Sequence, residues 1–409
     1  MSQIARFYTL YWIIYFPTCI AYNDLAGFGY VDEVMTVVLI GYTFLTRHNW
    51  STNKMPWKEY MAFLWILTFY IIYGLLFGRN VDNAVWLDLV QEIRPYSIIY
   101  CTWILNPRFS DRQKTLMIGA MILTLASWIY VHPQTTTDAN AEFPVLGQMA
   151  ICTGMGYYLF SEETQKNKLI ALALVGTGLL APKMKFMGEV VAFVAMLFYV
   201  KKQLDFKSPR TIWTIGLMMV FALALTWTKF EVYYVDGWEN EELARPMTYK
   251  TAWKILWDYF PFGPGMGTFA CNAAWKYYSP LYYEYHLNNI WGLGGNQLKD
   301  GMFICDAFYP TLAQFGVAGV ILFYVFWKRR LRAFNEIEDM KYYRVAMMAF
   351  FCLAIEQTAD TSFLSGKGMG YCMLIALCLN ANINQEEEEE EEEDEEVEEE
   401  VERVKLADS

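Results

Sequence analysis

Long apolar runs separated by short polar segments dominate the sequence. About 20 helical residues span the hydrocarbon core of a bilayer, and most of these runs approach that length. We mark twelve of them from the polar residues that separate them. Their ranges are 4–22, 31–46, 59–78, 85–105, 115–131, 144–160, 168–181, 186–200, 211–228, 308–327, 344–359 and 366–381. The pattern predicts an all-α, polytopic membrane domain of about twelve transmembrane helices over residues 1–385.

The longest polar interval, residues 230–307, lies between the ninth and tenth runs. Within it, Tyr249, Trp253, Leu256 and Trp257 recur at helical spacing and predict an amphipathic helix. Such a helix suits a membrane interface or the mouth of a cavity, and a simple packed lid is the alternative. Large loops held by a rigid scaffold often carry function. We therefore expect the functional site at this loop.

Glycines and aromatic residues crowd the same loop. The segment PFGPGMGTF holds Gly263, Gly265 and Gly267, which predict a tight turn after the amphipathic helix. The segment WKYYSPLYYEYHLNNIWGL offers aromatic faces that suit sugar rings, although such residues also gather at membrane interfaces. Both features fit a ligand-binding loop at a membrane surface, and neither is specific to it.

Positively charged residues predict the orientation. The alternate connections at 47–58, 108–114, 166–168, 201–210 and 328–344 hold 18 Lys and Arg, whereas the short connections on the other side hold four. The positive-inside rule places the basic side and both termini in the cytoplasm. The large loop then lies on the outer, periplasmic face.

Composition and charge agree with a membrane body carrying an acidic tail. The chain is 55% hydrophobic and 18% aromatic, which excludes an ordinary soluble protein. Residues 386–409 hold 16 of the 44 Asp and Glu and only 2 of the 32 Lys and Arg. The remaining 28 acidic and 30 basic residues leave the body near neutral. We predict a solvated, disordered cytoplasmic tail, with a partner site as the alternative, and no nucleic-acid partner.

Three basic residues break the charge trend. Lys183 and Lys185 lie in an outer turn, where they either reach the interface in an ordinary way or form a cationic site for an anionic substrate group. Arg94 lies within an apolar run, so it faces a bundle interior or a water-filled cavity. Glu92 is a candidate partner for Arg94, and Glu356 is a similar charge near the outer end of its span.

Two further residues of the large loop carry side chains that could take part in catalysis. Asp306 precedes the tenth run and either caps that helix or serves as a general base. His286, the loop's only histidine, is a second candidate base or a structural residue. Cys271 and Cys305 could form a disulfide on an oxidising face. Three histidines far apart in sequence give no metal set, and we expect no metal or cofactor.

Several of these motifs occur together in a familiar order. The order of Arg245, then Trp253, then PFGPGMGTF, then DAFYPTLAQFGVAGVILF resembles the O-antigen ligase and polymerase superfamily. The upstream ALVGTGLLAPKMKFMGEVVAF resembles the family's paired short spans with a basic outer turn. The resemblance covers residues 169–327, and the rest of the chain resembles the family in topology alone.

The resemblance implies an inverting, metal-independent glycosyltransferase of the bacterial inner membrane, acting on undecaprenyl-diphosphate-linked glycans. Lys183, Lys185 and Arg245 would hold the diphosphate, with Arg94 as a further cation. Asp306 stands where ligases carry histidine, and lysines stand where they carry arginine in the basic turn. These departures favour a polymerase of surface polysaccharide repeat units over a ligase.

Three alternatives remain at this stage. One is a ligase that transfers glycan to a lipid or protein acceptor. The second is a transporter or flippase, for which Arg94 and Glu356 within the spans would suit a substrate path. The third is an assembly protein that uses its acidic tail as a contact. A chain-length regulator is a possible partner of the polymerase.

Overall fold

The computed structural model describes residues 3–24, 29–46, 54–131, 144–180, 183–205, 242–294 and 301–381, together with short pieces between 207 and 237. Half of the predicted ninth span and the whole acidic tail lie outside these residues. The described residues form helices, turns and loops without a β-strand, which confirms the all-α class.

The structure describes twelve longer helices. They are α1 (Gln3–Asp24), α2 (Val31–Leu45), α3 (Lys54–Phe77), α4 (Asp82–Leu105), α5 (Asp111–Val131), α6 (Pro144–Phe160), α7 (Gln165–Gly176), α8 (Met184–Phe198), α9 (Ala244–Asp258), α10 (Gly316–Asn335), α11 (Met340–Glu356) and α12 (Met369–Leu379). Eleven of these helices fall on the apolar runs, and the other one, α9, lies in the polar interval. A 3₁₀ segment, Tyr309–Phe315, leads into α10. Among the residues that the structure describes, three helical stretches are long and apolar enough to cross a membrane: Met55–Phe77, Asp111–Val131 and Tyr309–Asn335.

Local signals set several helix boundaries. The side chain of Thr164 accepts a hydrogen bond from the Asn167 N–H at the start of α7, and Asp339 does the same for Lys341 at the start of α11. Asn106 ends α4 in a left-handed conformation, which asparagine tolerates better than most residues. These helices therefore begin or end at the short polar segments, as the sequence predicts.

The core lies around α12. All eleven residues of this helix are buried, and it packs against α4 and α11. The outer helices show the opposite pattern, because apolar residues such as Trp65, Leu76 and Leu123 are exposed on α3 and α5. A helix that exposes apolar side chains is suited to a lipid environment.

The connections between helices gather at two ends of the bundle. At one, which we call the loop end, Asn80 contacts Gly267 and Lys185 contacts Asp360. At the other, the opposite end, Arg344 contacts Glu163, and Gln203 bonds the Ile337 carbonyl. Residues 242–294 and 301–308 pack on the loop end, so the described parts of the large loop and of the short outer connections share one end.

Candidate functional site

Arg245 and Asp306 meet at the loop end. The Arg245 Nε donates to Asp306 Oδ2 at 2.7 Å, and its Nη2 lies 2.6 Å from the same oxygen. The side chains are 17% and 24% exposed, so both reach solvent. Burial raises the pKa of Asp306 above its ordinary value, although the Arg245 guanidinium opposes the shift. The two residues that the sequence predicts for substrate chemistry form one site.

The pair excludes one predicted alternative. Asp306 does not cap a helix, because Phe308 precedes the 3₁₀ segment and Phe315 precedes α10. A capping carboxylate would bond backbone N–H groups at the helix start, whereas Asp306 bonds a side chain from α9. The interpretation of Asp306 as an N-cap is therefore wrong.

The glycine segment fixes α9 against the bundle. Gly263, Gly265 and Gly267 all adopt positive φ, at 78°, 99° and 73°, a conformation that other residues avoid. A Cβ on Gly267 would lie 2.6 Å from the Ala84 carbonyl oxygen on α4. The predicted tight turn is confirmed, and close backbone approach to α4 explains why glycine is needed there.

A buried polar network holds that turn in place. The Gly267 N–H donates to Asp88 Oδ2 and to Gln314 Oε1, both at 2.9 Å. The Gln314 side-chain amide donates to the same Asp88 oxygen at 2.9 Å and reaches Glu92 Oε1 at 3.4 Å. Asp88 and Gln314 are completely buried. The N–H groups of this turn bond protein acceptors, so the segment positions the site and does not cradle a phosphate.

The helix α9 carries two different faces. Thr248, Thr251 and Ile255 are buried, whereas Trp253 and Trp257 are 64% and 57% exposed and pack edge to face at 5.9 Å. The predicted amphipathic helix is confirmed. The side that packs on the protein is the one with small residues, so the tryptophans face outward, as expected for a membrane interface.

A second group of charges lies beside the first. Lys185 Nζ lies 2.6 Å from Glu356 Oε2 and 3.0 Å from Asp360 Oδ2, and Lys367 lies 3.3 Å from the same Asp360 oxygen. Asp306 interacts electrostatically with both Lys185 and Asp360. Burial opposes ionisation of Asp360, but the two lysines lower its pKa below the ordinary value. The predicted cation Lys185 is thus held by carboxylates.

Arg94 has partners that the sequence analysis did not identify. Its Nη1 lies 2.7 Å from Asp32 Oδ2, and its Nη2 lies 2.7 Å from Glu33 Oε1. It also donates to the Leu364 carbonyl at 2.6 Å. Glu92 instead faces Gln314, so the predicted pairing of Arg94 with Glu92 is wrong.

A cavity of about 720 Å³ lies next to these charges, with Arg94 and Asp360 in its wall and Arg245, Asp306 and Lys185 outside its lining. Residues of α1, α2, α4, the large loop and the turn between α11 and α12 line it. The lining includes Arg94, Asp360, Cys305 and Lys367. Its size lies within the range of small-molecule sites, about 300–1000 Å³. Arg94 therefore does border a cavity, as its position in an apolar run predicts.

The remaining predicted site residues lie apart from this arrangement or on its border. Lys183 directly precedes α8 with a half-buried side chain. His286 is exposed next to a short helix, Leu281–Glu284, and has a positive φ of 57°. Cys271 and Cys305 are both free thiols, and burial raises the pKa of each. The alternative of a disulfide between them is not seen.

Sequence reasoning missed the acidic partners and one cation. Asp32, Glu33 and Asp360 hold cations that the sequence leaves unpaired, and Lys276 lines the cavity. The ion pairs of Arg94 and Lys185 join residues 61 and 171 positions or more apart, which no local pattern reveals. Lys276 is one of several loop lysines, and its spacing carries no signal.

The arrangement can support transfer chemistry that uses charge and proton acceptance. Asp306 offers a carboxylate whose raised pKa suits a general base. Arg245 offers a guanidinium that could exchange Asp306 for an anionic leaving group as its ion-pair partner. Among the described residues, no group of three or more His, Cys, Asp or Glu side chains could hold a metal ion.

Comparison with known proteins adds no relative. No protein-family profile and no curated protein matches the chain.

Proposed function

We propose that this protein polymerises lipid-linked oligosaccharide repeat units into a surface polysaccharide by metal-independent glycosyl transfer with inversion at the anomeric carbon. The observation that carries the proposal is the ion pair between Arg245 and Asp306. Two motifs that resemble the O-antigen polymerase and ligase superfamily lie 61 residues apart, and the fold brings their polar residues within bonding distance. The donor in this proposal is an undecaprenyl-diphosphate-linked glycan.

The proposed mechanism divides the chemistry between the two residues. The sugar–phosphate bond breaks as the acceptor hydroxyl attacks the anomeric carbon from the opposite side. Asp306 accepts the proton of that hydroxyl, and the diphosphate leaves with the bonding electrons. Arg245 neutralises the charge that grows on the diphosphate. Because Arg245 is held by Asp306 without substrate, the anionic donor must share or replace this partner.

The pairing of the other cations refines the predicted diphosphate clamp. Arg94 and Lys185 each face two carboxylates, so neither supplies a net positive charge to a ligand. We assign Arg245 as the principal diphosphate contact and leave Lys183 as a candidate second contact. Arg94 and Lys185 then position the walls of the site.

The proposal includes a location and a topology. The protein lies in the bacterial inner membrane with about twelve spans, cytoplasmic termini and the large loop in the periplasm. Three helices with the length and apolarity of membrane spans support a membrane location. The placement of the basic connections at the opposite end from the large loop, as in the contact of Arg344 with Glu163, supports the sidedness.

The experiment is the length distribution of the surface glycan with the gene present, deleted, and carrying Arg245→Ala. Collapse of the ladder to a single repeat unit in both altered strains supports a polymerase. A ladder that persists on the carrier lipid but does not reach its final acceptor identifies a ligase. An unchanged ladder in the deletion strain contradicts both and favours transport.

A further inference from the structure

Lys276 is a cation of the cavity for which the described residues provide no partner. Three cations line the cavity: Arg94, Lys276 and Lys367. Arg94 and Lys367 are held by carboxylates of the same cavity. Lys276, at the end of the short helix Asn272–Lys276, has neither a hydrogen bond nor an ion pair with any described residue, and its side chain is exposed. A cation of this kind is available to a ligand.

The charge balance of the cavity limits what that ligand can be. The carboxylates of Asp32, Glu33 and Asp360 line the same walls as the three cations. The walls therefore carry no excess positive charge. A diphosphate, with two or more negative charges, would meet as much repulsion as attraction. A group with a single negative charge matches the one unpaired lysine.

The other lining residues match a sugar. Trp275 precedes Lys276, is 46% exposed and borders the cavity together with Tyr15 and Tyr30. Aromatic faces of this kind stack on the apolar faces of sugar rings. The side-chain amides of Gln91 and Asn272 offer both donors and acceptors to hydroxyl groups.

We infer that the cavity binds a glycan with an acidic sugar, whose carboxylate is held by Lys276 while Trp275 stacks on an adjoining ring. The inference rests on the proposed function, because the cavity adjoins the proposed site through Cys305 and Asp360 and would hold the glycan that reacts there. It goes beyond that function in predicting that the repeat unit contains a uronic acid or a sugar of equivalent charge. Lys276 is a specificity-determining contact and takes no part in the bond exchange.

The test measures binding of tetragalacturonate to the purified full-length protein in detergent, with its fully methyl-esterified form as the matched neutral ligand. We expect the wild type to prefer the acid by about tenfold, a typical effect of one charge-assisted contact. Lys276→Gln should abolish the preference, and Lys276→Arg should retain most of it. Lys254→Gln is the control, because Lys254 is exposed on α9 and does not line the cavity.

Two results overturn the inference. One is equal binding of the acid and its ester by the wild type. The other is a loss on Lys276→Gln that is as large for a sugar-free isoprenyl diphosphate as for tetragalacturonate, because the lysine would then hold the carrier's diphosphate. Either can occur while deletion of the gene still collapses the glycan ladder, so failure here is distinct from failure of the proposed function. Thermal unfolding of each variant verifies that it is folded.

Discussion

The two ends of the helical bundle hold similar ion pairs in different surroundings. At the opposite end, the fully buried Arg330 pairs with Glu59 and lies over the rings of Trp103, at 4.6 Å, and Tyr100, at 5.3 Å. At the loop end, Arg245 pairs with Asp306 and both side chains remain partly exposed. The first arginine is enclosed by aromatic rings, and the second is accessible.

The difference shows that a buried ion pair does not by itself mark a functional site. Arg330 satisfies the requirements of a structural pair, because aromatic faces and a carboxylate account for its surroundings. The loop end adds a cavity, an accessible carboxylate with a raised pKa, and a lysine, Lys276, with no partner in the described part of the chain. Access to a ligand distinguishes the two ends, and the following predictions test that distinction.

The largest effect should come from breaking the structural pair. Arg330→Met leaves Glu59 without its main partner in a largely buried position, which should cost about 3–5 kcal/mol of folding stability. Polymer formed per folded molecule should not change. The double variant Arg330→Met with Glu59→Leu removes both charges and should recover much of the loss. Urea unfolding in detergent, combined with glycan analysis, measures both quantities, and a specific loss of activity in the stable double variant would refute the structural role.

A smaller effect should follow from altering the turn that positions α9. Gly267→Ala introduces a Cβ at positive φ and 2.6 Å from a carbonyl oxygen, which should cost about 1–3 kcal/mol. Activity should fall as well, since the turn holds α9, the helix that carries Arg245, against α4. Gly119→Ala on α5 is the matched control, because its added Cβ meets no atom within 4 Å. Thermal unfolding measures the stability of both variants, and equal stability of Gly267→Ala and Gly119→Ala would contradict our account of the turn.

The pH dependence of polymerisation should identify the base. Asp306 works as an acceptor only when ionised, so activity should fall about tenfold per pH unit once the pH drops below its pKa. Because that pKa is raised, the decline should begin above the ordinary value of 3.8. Lipid-linked units extracted from the deletion strain can serve as substrate for purified protein. Asp306→Asn should show low activity with no acid limb, and an unchanged limb in this variant would assign the base elsewhere.

The smallest effect should come from deleting residues 386–409. The tail carries 16 of the chain's acidic residues, and self-repulsion keeps such a segment solvated. Glycan length and the amount of protein in the membrane should both remain close to the wild-type values. Loss of all polymer on deletion would instead support an assembly protein that acts through its tail.

Sequence patterns predict the helices better than they predict the site. Apolar runs place the described helices because burial in lipid or core requires a continuous apolar stretch. Gly267 was predictable as a turn, since three alternating glycines have few other uses. The resemblance between motifs pointed to Arg245 and Asp306 as separate candidates, and the ion pair between them was not predicted.

The partners of the other charges were not predictable. The sequence suggested that Arg94 and Lys185 bind an anionic ligand, because it shows only their local neighbours. The tertiary fold places Asp32 next to Arg94 and Asp360 next to Lys185. Lys276 lines the cavity, and no local pattern distinguishes it in the sequence from the other loop lysines. Long-range electrostatics therefore decided which cations are available.

The most direct test measures the rate of polymer formation per folded molecule, and the resulting glycan ladder, in the Arg245→Ala variant and in the Arg330→Met, Glu59→Leu double variant. Our account predicts a loss of about 100- to 1000-fold for Arg245→Ala, the usual effect of removing a group that stabilises developing charge. It predicts a wild-type ladder for the double variant. A full ladder from Arg245→Ala, in protein that is folded and present in the membrane, would contradict the central claim.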